Sequence, residues 1–327
     1  QSTVAQPPAY GDPCATNPTA PWGANATANP NYLAAQAFCS QLMGAIGAAA
    51  WYANPQTGAF FPTATVVESG NPSLRAEEAD TVTFGVVLAF QSVDIAIDWY
   101  QIEINDLIGL TDYDTVYEQC LSPSFNAAQD PNNPFCRLIT RDPETGGQQR
   151  TRVSRENLGF YKTSGVDLQV TWSTEIGENS TFGVNMLTNF LHQYKTQDLP
   201  SSPLLDSTGT GADGGQFDYR VFTSVNYSVG PFRTALRWRH YPSIEHAQAQ
   251  LNPNTTTRGA DSYDIFDLTG LFTFDERYEL RFGIDNLLDT EPNIYGATPT
   301  SSGAGLTLSN YYDVLGRRAY VGFKVEF

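Results

Sequence analysis

The sequence predicts an all-β fold, a transmembrane antiparallel β-barrel, on three observations. Apolar and polar residues alternate through about nine segments. The connections between those segments alternate between short turns and long loops. The last segment carries its alternation through to an aromatic residue, Phe327. Alternation with a period of two gives a strand with two unlike faces. Here one face carries large aromatic and branched residues and the other carries charge, which suits lipid on one side and water on the other.

Composition agrees and sets limits. There are 35 Asp and Glu against 18 Lys and Arg, a net charge of −17. That excludes a generic nucleic-acid binder, which needs positive charge to release counterions. Aromatic residues make up 13% and there are 27 glycines, as aromatic girdles and tight turns require. Mean hydropathy is only −0.31, but half of each barrel strand faces water, so hydropathy understates such chains. No run of about twenty apolar residues occurs, so no transmembrane helix is expected. The longest candidate, Leu42 to Ala53, is too short. The sequence opens on Gln1, without an initiator Met or signal peptide, and reads as beginning after processing, cleavage or truncation.

Four cysteines allow three connectivities. Cys14 with Cys39 and Cys120 with Cys136 are favoured, because each pair sits within one expected loop. Neither spacing resembles a zinc site. Each bridge would stabilise its loop by about 3 kcal/mol and implies an oxidising compartment such as a cell surface.

Taken in order, residues 1–75 form a long loop without Asp, Glu, Lys or Arg between Asp12 and Glu68. Leu33, Ala37, Phe38, Leu42 and Ile46 recur at helical spacing and predict one short helix over Tyr32 to Ala50. Strands begin with Val82, Phe84, Val86, Leu88 and Phe90. A Gln-Ser turn leads to Val93, Ile95, Ile97 and Trp99. Beyond Trp99 the apolar parity shifts to Tyr100, Ile102 and Ile104, as a bulge or an exit from the membrane would produce. A second long loop covers Asn105 to Arg155. Val166, Leu168, Val170 and Trp172 then face outward, and after a short turn so do Phe182, Val184, Met186 and Phe190. A third loop precedes the cleanest strand, in which Phe217, Tyr219, Val221 and Val225 alternate with Asp218, Arg220 and Ser224. Gly230 and Pro231 turn it into Phe232, Leu236 and Trp238, which alternate with Arg233, Arg237 and Arg239. A fourth loop, Pro242 to Asp261, precedes Phe266, Leu268, Phe272 and Phe274. The closing hairpin sets Tyr278, Leu280, Phe282 and Ile284 against Val321, Phe323 and Val325.

This closing stretch also carries a resemblance. The run Leu280 to Asp289 (LRFGIDNLLD), then Tyr311 and Tyr312, then Gly316, Arg317 and Arg318, and finally Phe327, is similar to the C-terminal end of TonB-dependent outer-membrane receptors. Gly70 to Thr81 (GNPSLRAEEADT), Asp98 to Ile104, Asn157 to Gly159 and Thr163 to Asp167 match upstream, so the likeness runs from about Gly70 to the end. It implies a twenty-two-stranded barrel in the bacterial outer membrane, of which this chain supplies the last nine strands or so. Residues 1–75 would be an extracellular loop with its helix, and 76–327 barrel strands and loops. An N-terminal plug, a TonB-contacting segment and the earlier strands would come from elsewhere, in the same gene product or a separate chain. Expected partners are that plug and those strands, the TonB system, lipopolysaccharide and a small-molecule substrate, with no cofactor and no nucleic acid. The resemblance also implies that Phe327 is an assembly signal.

No catalytic constellation is found. His192, His240 and His246 lack neighbours at ligand spacing, and neither a nucleophile elbow nor a phosphate loop occurs. Asp112 and Asp114 are a weak calcium hint. The candidate ligand-binding residues are the loop aromatics Trp51, Tyr52, Tyr113 and Tyr117, which an exposed position would let stack on a sugar or a chelate ring, and the inward Arg237 and Arg239 beside Arg233. For the arginine ladder the competing reading is pairing with inward acids such as Asp218 or with plug carboxylates. The function these features imply is active uptake of a siderophore, haem, cobalamin or oligosaccharide. The alternatives are a passive channel, a surface adhesion barrel or, least well supported, a soluble β-sandwich.

Overall fold

The computed structural model describes the chain apart from residues 1, 6–11, 17–22, 54–64, 201, 212–214, 248, 250–258, 275–276, 296–306 and 327. Phe327 therefore lies outside the described residues. In chain order the elements are β1 (Ser2–Ala5), α1 (Tyr32–Ala53), β2 (Thr65–Ser69), β3 (Glu78–Ala89), β4 (Val93–Leu110), α2 (Tyr113–Leu121), β5 (Ile139–Arg141), β6 (Gln148–Glu175), β7 (Ser180–Gln197), β8 (Leu205–Asp206), β9 (Tyr219–Val229), β10 (Phe232–Tyr241), β11 (Ile244–Glu245), β12 (Gly259–Ala260), β13 (Tyr263–Phe274), β14 (Tyr278–Asp285) and β15 (Arg318–Val325). They fall into two compact units. One holds Gln1–Glu78, Asp106–Gly159 and Asp198–Ser202; the other holds Ala79–Asn105, Phe160–Gln197 and Pro203–Phe327.

The second unit is a nine-stranded antiparallel meander in the order β3, β4, β6, β7, β9, β10, β13, β14, β15. The tight links are Phe90–Ser92, Ile176–Asn179 and Gly230–Pro231, three residues of sequence separate β13 from β14, and the intervening connections are long. Gly230 takes φ 50°, which its missing Cβ permits and the two-residue link demands. The ladder fixes the faces. Val225 stands opposite Val184 and Leu236, and Leu236 opposite Leu268. One residue along, Ser224 stands opposite Asn185 and Arg237. The expected alternation therefore holds across the sheet. Phe84 is 68% and Val321 77% exposed on the apolar face, where no second layer among the described residues of this unit covers them.

Three expectations are corrected in detail. Phe217 was expected on the apolar face beside Tyr219. It lies before β9, is 2% exposed, and packs with Ile244, Tyr263, Ile265 and Tyr312. A bend at Asp218 interrupts the period of two. After Trp99, where a bulge or an exit from the membrane was expected, β4 runs on to Leu110. Tyr100 keeps to the polar face with Asp98, and its ring lies over Gly165, where a Cβ would come within 2.5 Å of the phenol oxygen. Finally, a second helix, α2, stands in the Asn105 to Arg155 loop, where no helix was expected. Asp112 caps it by accepting the Thr115 N–H at 2.7 Å, and Tyr113, Val116, Tyr117, Cys120 and Leu121 form its buried face.

The first unit builds its core around both disulfides, Cys14–Cys39 and Cys120–Cys136. Phe38, Met43, Trp51, Val66, Val116, Leu121 and Val153 pack with them. By length and composition α1 is apolar enough to cross a membrane. It is nevertheless interrupted at Gly44 (φ 74°, ψ 165°) and contributes Phe38, Met43, Ala48 and Trp51 to this core. Its Gly47 meets the turn Asp142–Gly147 so closely that a Cβ on Gly146 would lie 2.6 Å from the Gly47 carbonyl oxygen. β2 pairs in parallel with β6, and β5 pairs antiparallel on β6.

The closing motif is a staple. Asn286, buried and at φ 50°, accepts the Thr290 N–H at 2.8 Å and donates to the Thr290 carbonyl at 3.0 Å. Asp289 accepts the Arg317 N–H at 2.9 Å, and Arg318 reaches Asp313 at 3.2 Å and Asp285 at 3.7 Å. The Asn-Leu-Leu-Asp and Gly-Arg-Arg runs thus close one long connection upon itself.

Candidate functional site

The polar face of the sheet carries the basic residues in register. Arg233 stands opposite Ser228 and Leu271, and Leu271 opposite Arg281. Arg233, Arg237 and Arg281 line a groove of about 770 Å³ with Asn185 and Asn226 and, among the described residues, without any Asp or Glu. Arg281 is hydrogen-bonded to Glu279. Arg233 and Arg237 have no ion pair among the described residues. Arg239 differs, since its Nη2 lies 2.9 Å from Asp267 Oδ2. Asp218, the acid suggested as a ladder partner, instead turns its carboxylate towards Gly209.

Towards the long connections the same face holds a second concavity, of about 280 Å³. Tyr100, Tyr161, Tyr194 and Tyr311 form its walls, and Arg220 and Asn189 reach into it. A bulge shapes this level: Ser164 pairs with Gln193 and Gly165 with Leu191, so His192 is left over. Asn189 donates to Tyr100 Oη at 3.2 Å and to Asp167 Oδ1 at 2.8 Å. The Arg220 guanidinium carbon lies 6.0 Å from the Tyr311 ring centroid. Sequence reading missed this pocket because its residues come from five separate stretches. The displaced parity at Tyr100 was its one visible trace.

The four loop aromatics do not form a stacking surface. Trp51 is 7%, Tyr113 5% and Tyr117 1% exposed, and Tyr52 is half-buried. The Trp51 indole N–H and the Tyr52 hydroxyl both donate to the Cys14 carbonyl, at 3.1 and 3.2 Å. Tyr113 and Tyr117 stack on each other at 4.7 Å. The disulfides gather these rings inward, and a ring without an open face has nothing to offer a sugar. Burial pushes the Tyr52 and Tyr117 phenols up to about 12 and raises Tyr113 as well. Beside them Asp12 and Arg141, both buried, form a two-pronged ion pair at 2.6 and 2.9 Å.

Asp112, half of the calcium hint, is the helix cap described above, and no cluster of three His, Cys, Asp or Glu that could hold a metal occurs among the described residues. His240 Nδ1 lies 2.8 Å from Asp264 Oδ1, which also accepts the Trp238 indole N–H at 2.7 Å. That cluster fixes strand ends on the apolar face.

Comparison with known proteins bears on this geometry. The family model described as TonB dependent receptor-like, beta-barrel matches residues 40–287. A mutant ferric enterobactin receptor from Pseudomonas aeruginosa, solved with enterobactin, is similar in fold with a TM-score of 0.54 at 14% identity, over 81% of this chain and 34% of that one. The outer membrane transporter YddB from Escherichia coli gives 0.53 at 12%, over 81% and 34%. The FrpB iron transporter from Neisseria meningitidis gives 0.50 at 11%, over 80% and 33%. The chain thus spans about a third of the length of these structures. Among curated proteins none matches.

Proposed function

The chain belongs to the TonB-dependent receptor-like β-barrel family, and from that premise we propose that it forms part of the wall of a bacterial outer-membrane receptor that imports a nutrient too large or too scarce for passive pores. The observation that carries this reading is the unpartnered apolar face of the nine-stranded meander. Residues such as Phe84, Phe90, Val321 and Phe323, each more than half exposed, would drive aggregation in water. In hydrocarbon the same face is at rest, and the polar face lines an aqueous lumen.

The two outer strands, β3 and β15, each pair on one side only among the described residues. In lipid an unpaired strand edge costs several kcal/mol per group, so the reading requires further strands along both edges. Those strands, and a plug coupled to TonB, belong to the receptor as a whole. The wall itself does no chemistry in this reading. It holds the loops, shapes the lumen and guides the substrate.

The test is uptake by cells that carry the full receptor. A panel of labelled ferric siderophores, haem, cobalamin and oligosaccharides is offered with and without an intact TonB system. Receptor-dependent accumulation of one compound that stops when TonB is removed is the expected result. Accumulation that continues without TonB would establish a passive channel instead.

A further inference from the structure

We infer that the tyrosine-walled pocket on the polar face of the meander binds a six-membered ring that carries one anionic group. The inference starts from the walls. Tyr161 and Tyr194 meet edge to face at 5.3 Å. Tyr311 is braced by Phe217 at 4.9 Å and Tyr241 at 5.4 Å, and its hydroxyl donates to the Gly215 carbonyl at 3.1 Å. These rings are held by their neighbours, so little side-chain freedom remains to be lost on binding. Flat phenol faces attract other rings and the C–H faces of sugars alike.

The charge requirement comes from Arg220. Its guanidinium lies over the Tyr311 ring and has no carboxylate partner among the described residues. Among the described residues no Asp or Glu lines the pocket, although the chain carries 35 of them. A guanidinium held near a ring face in this way spends no N–H group on the ring, and its N–H fork suits a carboxylate or phosphate. Asn189 holds Tyr100 in place and adds a polar edge. At about 280 Å³ the pocket sits just below the range of roughly 300–1,000 Å³ usual for ligand sites. It has room for one ring and its substituents and not for a whole large substrate. The geometry therefore points to recognition of a single anionic ring unit, either an aromatic carboxylate or an acidic sugar.

This deepens the uptake reading, and its test stands apart from transport. The purified full receptor in detergent micelles is titrated with benzoate and with glucuronate, each against a neutral counterpart, benzyl alcohol and glucose, and binding is followed by saturation-transfer NMR. At least one anion should bind in preference to its counterpart. Arg220→Gln should lower that preference by roughly tenfold, as loss of a charge-assisted hydrogen bond would. Tyr311→Leu should weaken the charged and neutral probes together. Both variants are first checked for wild-type mobility on unheated gels, which reports the folded barrel. A benzoate preference assigns an aromatic acid and a glucuronate preference an acidic sugar. Absence of any preference for an anion, or a preference that survives Arg220→Gln in folded protein, overturns the inference. Either result leaves the uptake experiment to stand or fall by itself.

Discussion

Asp267 stands opposite Arg237 in the ladder but pairs diagonally with Arg239 on the same adjacent strand, whose Nη2 lies 2.9 Å from Asp267 Oδ2. The other oxygen of Asp267 accepts the backbone N–H of Asn286 at 2.9 Å. One carboxylate therefore joins β10, β13 and the closing staple, and Arg239 is committed to the fold. Asp267→Ala removes the acceptor of a buried N–H, at a cost of about 1–3 kcal/mol. The ion pair itself adds at most about 1 kcal/mol, because Arg239 is partly exposed. Arg237→Gln should cost almost nothing, since its guanidinium makes no ion pair among the described residues. Urea unfolding of the receptor in lipid should rank Asp267→Ala first, Arg239→Gln second and Arg237→Gln last. Equal losses for Arg237 and Asp267 would show that the ladder is structural throughout.

The register makes a second prediction. Val225 lies between Val184 and Leu236 on the apolar face, whereas Thr171 pairs with Asn185 on the polar face. Val225→Arg should destabilise the barrel by roughly 2–4 kcal/mol if the site is near the bilayer midplane. Thr171→Arg should be nearly silent. Folded fractions on unheated gels compare the two, and a silent Val225→Arg would place lipid on the other face.

What could be read in advance follows from how far each feature reaches along the chain. Val221 to Val229 announce their strand within a few residues, because period two is a local signal. The chain ran straight from Trp99 into Tyr100, but only Gly165 and Asn189, far along the sequence, explain why Tyr100 belongs on the polar face. Phe217 misled because the bend at Asp218 leaves no mark in an otherwise regular alternation. Trp51, Tyr113 and Tyr117 misled for another reason. Loop position suggests exposure, yet two long loops, each tied by its own disulfide, pack together into a core of their own. For α2 the signal was present, with Asp112 as cap and Val116 and Cys120 one turn apart, and the calcium hint obscured it.

Alkaline titration tests that core. Tyr52 and Tyr117 ionise near 12 in the folded protein because burial disfavours the phenolate, against about 10 when unfolded. Their folded pKa values are raised, so the stability they contribute is intact below pH 10 and falls as pH climbs from about 10 to 12. Phenolate absorbance at 295 nm should therefore show these tyrosines titrating late, together with loss of structure. Ionisation of every tyrosine near pH 10 in folded protein would contradict their burial.

The ion pair between Asp12 and Arg141 supports the sharpest prediction about the loop unit. Both side chains are almost fully buried. Asp12 also accepts the Cys14 N–H at 2.9 Å, and Arg141 donates to the Gly146 carbonyl at 3.0 Å. The segment before the first disulfide is thus locked by charge beside the point where it is locked covalently. Removing one partner leaves the other charge buried without compensation, at a cost of about 3–5 kcal/mol. Asp12→Ala should therefore do at least as much damage as losing the Cys14–Cys39 bridge, which the chain-entropy argument sets at about 3 kcal/mol. Replacing both charges, Asp12→Ala with Arg141→Met, should recover much of the loss, because no orphan charge remains. Limited proteolysis of the intact receptor reads this directly. Cleavage within residues 12–53 should accelerate strongly for Asp12→Ala and less for the double variant. If Asp12→Ala is cut no faster than wild type, the pair is not a lock, and the disulfide alone holds the segment.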